Sequence, residues 1–175
     1  MNKIFRVPMK AWVVGLLLIF AIMVMAATVW SFRSGIFWTG VCIVAVGFPF
    51  IGLYWWMLYV NPSKTKIEIR ENGELRVTAP PFLTAKMDLG TVESARVVPN
   101  MDKDSILGSL SRERSMDYLG FKSGMFSTNS GTSVLLVSRS TKVLELRTDK
   151  LTYAFGPKEF DEFLAAVREH VAVTE

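Results

Sequence analysis

Two long stretches of this 175-residue chain show no alternation between apolar and polar positions. From Ala11 to Phe32 there are 22 consecutive uncharged residues, and from Ser34 to Ser63 another 30. About 20 helical residues cross ~30 Å of hydrocarbon, so either stretch is long enough. A helix lying on a water-soluble core keeps a polar face, and neither segment has one. The pattern predicts two transmembrane helices, at about 11–32 and 36–60. With Arg33, Ser34 and Gly35 alone between them, they must turn back on each other as an antiparallel hairpin. The first span also has features of a cleavable signal peptide, with Lys3, Arg6 and Lys10 before it and Val24-Met25-Ala26 as a cleavage-like site. Its apolar run continues through Thr28, Val29, Trp30 and Phe32, further than a signal peptide requires.

Past residue 63 the period changes to two. Lys66 to Arg70 alternates, Glu71-Asn72-Gly73-Glu74 is an Asn-Gly hairpin signal, and Leu75 to Thr78 alternates again. Further strands are predicted at 82–89, 92–98, 119–127, 132–138, 142–148 and 151–155, most of them separated by hairpin-sized gaps. An irregular polar connection is predicted from Pro99 to Met116. One helix closes the chain, with Phe160, Phe163, Leu164 and Val167 at i, i+3, i+4 and i+7. The expected division is a hairpin over 1–63 and a β-rich domain over 64–175. A fragment beginning at Ser63 is then expected to fold alone.

Charge is distributed along the same division. Residues 1–62 contain Lys3, Arg6, Lys10 and Arg33 and no acid, so the whole net charge of +4 lies there. The remainder, with 16 basic and 16 acidic residues, lacks the positive field that nucleic acid binding relies on. Basic residues flank both outer ends of the hairpin against a single Arg33 in its turn, which predicts that both termini are cytoplasmic. Trp30 and Trp38 near the turn, and Tyr54, Trp55, Trp56 and Tyr59 at the far end of the second span, are placed as interfacial aromatic belts. Pro49 is the expected kink, and neither span carries the ionisable residue that marks a transport path.

The β-rich part resembles a known family. Asp117 to Phe126, DYLGFKSGMF, places two glycines four apart before an aromatic strand. VLLVS, KVLEL, Tyr153 to Phe155 and GPKEFDEFLAAV follow in order. Over roughly residues 64–172 this is similar to the bacterial pleckstrin-homology-like (PH-like) domains found beside short transmembrane hairpins in bacterial membrane proteins. The resemblance implies an α+β membrane protein, in which the hairpin precedes a mainly antiparallel β barrel with one C-terminal α-helix. The location implied is the bacterial cytoplasmic membrane. Pleckstrin-homology domains that bind inositol phosphates use basic residues around the loop joining their first two strands. Here that turn is tight and flanked by Glu71 and Glu74, while Arg70 and Arg76 can pair across strands with Glu74 or Glu68, which argues against such a ligand.

No catalytic, cofactor or metal constellation is visible. His170, the single histidine, sits at the end of the terminal helix, where a cation favours the dipole. Cys42, the single cysteine, lies inside the second span. Gly120 and Gly124 match no dinucleotide fingerprint and suit a bend or bulge. Asp102, Asp104, Glu113 and Asp117 lack calcium-loop spacing. The candidate interaction site is the 99–116 connection. Ile106, Leu107 and Leu110 would be apolar anchors for a protein partner, and Arg112 and Arg114 contacts to an anionic leaflet. The expected function is a membrane-anchored, non-enzymatic interaction or scaffold module that binds a protein or its own copies. The alternatives are an accessory subunit acting through the helices, on a surface carrying Ala27 and Ser31, and a membrane enzyme whose site the sequence does not reveal.

Overall fold

The computed structural model describes residues 2–81, 83–128 and 131–174, with Arg112 described by its backbone alone. The chain divides into two compact units, Met9–Pro62 and Met1–Pro8 together with Ser63–Glu175.

The first unit is helical. Helix α1 covers Ala11–Arg33 and α2 covers Phe37–Trp55; a π turn at Trp56–Val60 carries the second helix on to α3, Asn61–Lys64. Both helices, Ala11–Arg33 and Phe37–Lys64, are long and apolar enough to cross a membrane. The expected end of the second span, about residue 60, is overrun because Asn61 and Pro62 occupy the first positions of a further helical turn, where proline is tolerated. Close contacts at the tip hold the hairpin. The Phe32 ring lies where a Cβ on Gly40 would stand, and meets Phe37 edge-on at 5.6 Å. Thr28 donates its hydroxyl to the Val24 carbonyl at 2.8 Å, satisfying a polar group in an apolar helix. Ser31 is 1% exposed, and its carbonyl accepts from the Ile36 N–H at the turn. It therefore does not share an exposed surface with Ala27, and the small-residue seam expected there is not formed.

The second unit holds two sheets. The first contains β1 (Lys3–Arg6), β2 (Lys66–Ile69), β3 (Glu74–Ala79) and β4 (Leu83–Asp88), antiparallel in that order. The Asn-Gly turn is where expected, with Gly73 at φ 79° and Ile69 opposite Leu75. Arg70 reaches both Glu68 and Glu74, and Arg76 stands opposite Glu68, so the charges flanking this turn meet across strands. Strand β1 was not expected. The expected division places residues 1–8 in the hairpin, but Phe5 and Val7 are buried in the β unit and the Val7 N–H donates to the Thr65 carbonyl at 3.1 Å.

The second sheet contains β5 (Ser94–Val98), β6 (Ser111–Tyr118), β7 (Phe121–Ser127), β8 (Ser133–Ser138), β9 (Val143–Arg147), β10 (Thr152–Gly156) and β11 (Val173–Thr174). Their order is β11-β5-β9-β10-β8-β7-β6. Neither sheet closes, which corrects the expected barrel. Two pairings are parallel, β8 with β10 and β5 with β11. The Arg139–Thr141 gap, hairpin-sized in sequence, therefore joins strands that do not pair, because β10 lies between them. Helix α4 (Phe160–Arg168) lays Phe163 edge-on against Phe155 of β10 at 6.1 Å and against Phe5 of β1 at 5.3 Å. One side chain thereby touches both sheets. The opposite face of the second sheet presents Val98, Phe126, Val134, Leu136, Val143 and Ala154 to a core that Met101 and Leu107 complete.

Candidate functional site

The 99–116 connection, the site expected from sequence, has a different role in the fold. Its second part is strand β6, paired with β7 from Ser111 to Tyr118, so Arg112 and Arg114 lie on a sheet edge with a bulge between them. Arg114 is exposed, while the Arg112 side chain lies outside the described residues. Its first part forms short 3-10 turns at Met101–Lys103 and Leu107–Ser109. Leu107 is 2% exposed within the core, Leu110 packs against that core, and Ile106 is half-buried. Full burial of a side chain the size of Leu107 is worth roughly 1.5–3 kcal/mol, and the half-buried Ile106 and Leu110 add less, so the segment is held as the cover of one sheet face.

Charge fixes the cover in place. Glu145, 2% exposed in β9, accepts from Arg96 Nε at 2.8 Å and from Arg147 Nη2 at 3.1 Å. Arg96 Nη2 also meets Asp104 Oδ2 at 3.1 Å, and Asp104 Oδ1 accepts from the N–H groups of Ile106 and Leu107 at 2.9 and 3.0 Å. Burial pushes the Asp104 carboxyl up, but the Leu107 and Ile106 N–H groups and Arg96 outweigh it and hold the group below its ordinary value. The Arg96 guanidinium, penalised by burial, is raised overall by Glu145 and Asp104. The carboxylates of this network are buried while the Arg96 and Arg147 side chains are 40% and 45% exposed, so removing the cations would strand a charge at Glu145 in particular. Asp102 is likewise engaged, with Lys122 at 3.1 Å. Among the described residues, no three His, Cys, Asp or Glu side chains come together in a way that could hold a metal ion.

Three other places have a site-like character. An open cavity of about 450 Å³ beside α4 is lined by Val97, Pro99, Leu164 and Arg168, with Lys142 and Asp161 paired at its rim at 3.2 Å. Lys142 also stands over the Phe160 ring at 4.5 Å. A smaller cavity, about 260 Å³, lies where Lys3 of β1 meets Glu169 beyond α4 at 2.6 Å, a contact that lowers the Glu169 carboxyl. The third is the β6–β7 turn. Leu119 and Gly120 both have positive φ, 52° and 84°, the backbone of a two-residue hairpin turn that favours Asn-Gly. Behind it, a Cβ on Gly124, at φ 135°, would run into the Arg114 carbonyl, which explains the second glycine of the pair.

Residues 87–171 match the family model of the bacterial PH domain. The chain carries a bacterial PH domain. The match starts in β4 and runs past α4, so the PH domain accounts for the second sheet up to β10 and leaves β1, β2 and β3 outside. Compared with curated proteins and with solved structures, the chain has no match.

The belt residues are on helix surfaces. Trp30, Trp38, Tyr54, Trp56 and Tyr59 are all exposed, Trp38 at 76%, while Trp55 is half-buried with its ring 4.7 Å from Tyr59. Two features beside the PH domain's core escaped sequence reasoning. Glu145 was legible as the lone acid in the apolar run Val143–Leu146, a sign that a cation must come to it. Leu119-Gly120 was legible as an apolar residue where a hairpin turn favours asparagine.

Proposed function

We propose that this protein is a non-enzymatic, membrane-anchored interaction module that holds a PH domain against the cytoplasmic face of a bacterial membrane, where the domain binds a protein partner or further copies of the chain. The observation that carries the reading is the pairing of β1 with β2. These strands flank the helical segment on either side in sequence, and they lie next to each other in one sheet. The chain therefore leaves the β unit near Pro8 and returns near Ser63 from neighbouring points, which supports an even number of crossings between them. Both apolar helices expose large side chains along their length, and such surfaces are stable in hydrocarbon and unstable in water. The excess of Lys and Arg outside the spans supports the cytoplasmic side.

The test has two parts. In inside-out membrane vesicles, a maleimide too large to cross the bilayer should label a cysteine placed at exposed Lys150, and intact cells should leave it unlabelled; the opposite result refutes the orientation. Cross-linking through the β unit in native membranes should yield a discrete adduct, a partner or a dimer. Adducts formed through the helices alone would favour the accessory-subunit role.

A further inference from the structure

Among the described residues, the large hydrophobic side chains exposed in the β unit are Ile4, Tyr118 and Leu119; the others all lie on the helical segment between Trp12 and Tyr59. Two of these three are adjacent, at the tip of the hairpin formed by β6 and β7. We propose that the Tyr118–Leu119 tip enters the interfacial layer of the membrane to which the two helices anchor the protein, as a third point of attachment. This rests on the reading that the helices cross a membrane.

Leu119 is not the residue its turn position favours. Leu119 occupies a left-handed backbone position at φ 52°, is 55% exposed, and stands where asparagine would be at ease and water-compatible. A residue that violates its local rule at an exposed turn points to a use outside the fold. The occupant follows from area. Tyrosine can cover ~150–250 Å² and a leucine less, whereas a specific protein interface takes about 800 Å² per partner, so the tip alone is too small for a protein. Lipid sets no such minimum when the domain is already tethered, because the helices supply the local concentration. The tethers are short, residues 7–10 after β1 and Thr65 before β2. Tyrosine and leucine are also the pairing an interface accepts, a ring with a polar end beside an aliphatic group. Asp117 stands opposite Lys122 across the hairpin, and Lys122 also pairs with Asp102 at 3.1 Å. Exposed Arg114 lies four residues back, about 13 Å along the strand, within reach of lipid phosphates.

The experiment uses the full chain in phosphatidylethanolamine–phosphatidylglycerol nanodiscs containing nitroxide lipids. A polarity-sensitive fluorophore is placed at Leu119→Cys in a Cys42→Ser background, at Thr141→Cys in the same background as an aqueous control, and at native Cys42 as a helix control. The expected result is strong quenching at Cys42 and at position 119, with a blue-shifted emission at 119 and quenching several-fold above that at 141. Quenching at Cys42 with positions 119 and 141 alike overturns the tip's role and leaves the membrane reading standing. Absence of quenching at Cys42 overturns both. If Leu119→Cys does not fold, Tyr118→Cys carries the same readout. Adding Leu119→Asn to the Tyr118→Cys chain should cut its quenching by at least half; no change counts against the proposal.

Discussion

Replacing Phe5 by alanine tests whether the first residues of the chain are part of the β unit's core. The side chain is 5% exposed, and its ring meets Phe163 edge-on with centroids 5.3 Å apart. Removing a buried phenylalanine costs about 3–5 kcal/mol, against a typical domain stability of 5–15 kcal/mol. The aromatic geometry adds a coupling of roughly 0.5–1.5 kcal/mol, which Phe5→Ala, Phe163→Ala and the double variant measure as a cycle. Ile4 is the control on the same strand. It is 54% exposed, and Ile4→Ala should change stability by no more than about 0.5 kcal/mol. The assay is a urea titration of the full chain in nanodiscs, read by pulse proteolysis of the β unit. Phe5→Ala should move the midpoint far below that of Ile4→Ala. Equal shifts for the two, or a cycle additive within about 0.3–0.5 kcal/mol, would refute the docking of β1.

A fragment from Ser63 onward lacks β1 and leaves the places of Phe5 and Val7 empty, so it should bind hydrophobic dye and unfold without a sharp transition. Joining residues 2–8 to Ser63 through a short Gly/Ser loop should restore a cooperative transition, since Val7 already donates to Thr65. Leu119→Asn should stabilise the fold by about 1 kcal/mol, because a left-handed backbone costs an ordinary residue roughly 1–2 kcal/mol and asparagine less; a fall in the denaturation midpoint would contradict the strain. The Asp104 carboxyl is held below its ordinary value of 3.8, so its stabilising effect is complete above that value and is lost as pH falls through the folded-state value. Asp104→Asn should therefore destabilise the protein at pH 7 and flatten the loss of stability below about pH 4, in denaturation midpoints measured from pH 7 to pH 3. A parallel drop at every pH would show that the ion pair is not the cause.

Elements whose burial is local can be read from the order of residues alone. A charge-free run of 22 residues forms a long apolar helix, and the alternations of Lys66–Ile69 and Glu74–Ala79 correspond position by position to half-buried and buried side chains. The Asn72-Gly73 turn and the apolar stripe of α4 were legible for the same reason, since residues a few positions apart decide them. Even the central place of β8 left a trace. Val134 to Val137 is a continuous apolar run, as a strand covered on both faces requires. Pairing is another matter. Nothing in Lys3–Arg6 indicates a partner 60 to 66 residues away, and KIFR, with two adjacent apolar residues, does not alternate. The gap at Arg139–Thr141 reads alike whether β9 turns back onto β8 or leaves room for β10. Leu107, in a stretch without periodicity, looked like an exposed anchor, but the second sheet needed a cover on that face and Asp104 and Arg96 hold the segment down as one. Such choices are made by side chains packing across the fold, where the energy of one arrangement depends on all the others being present. That is why β1, the order of the central strands and the burial of the connection were decided only in the tertiary structure.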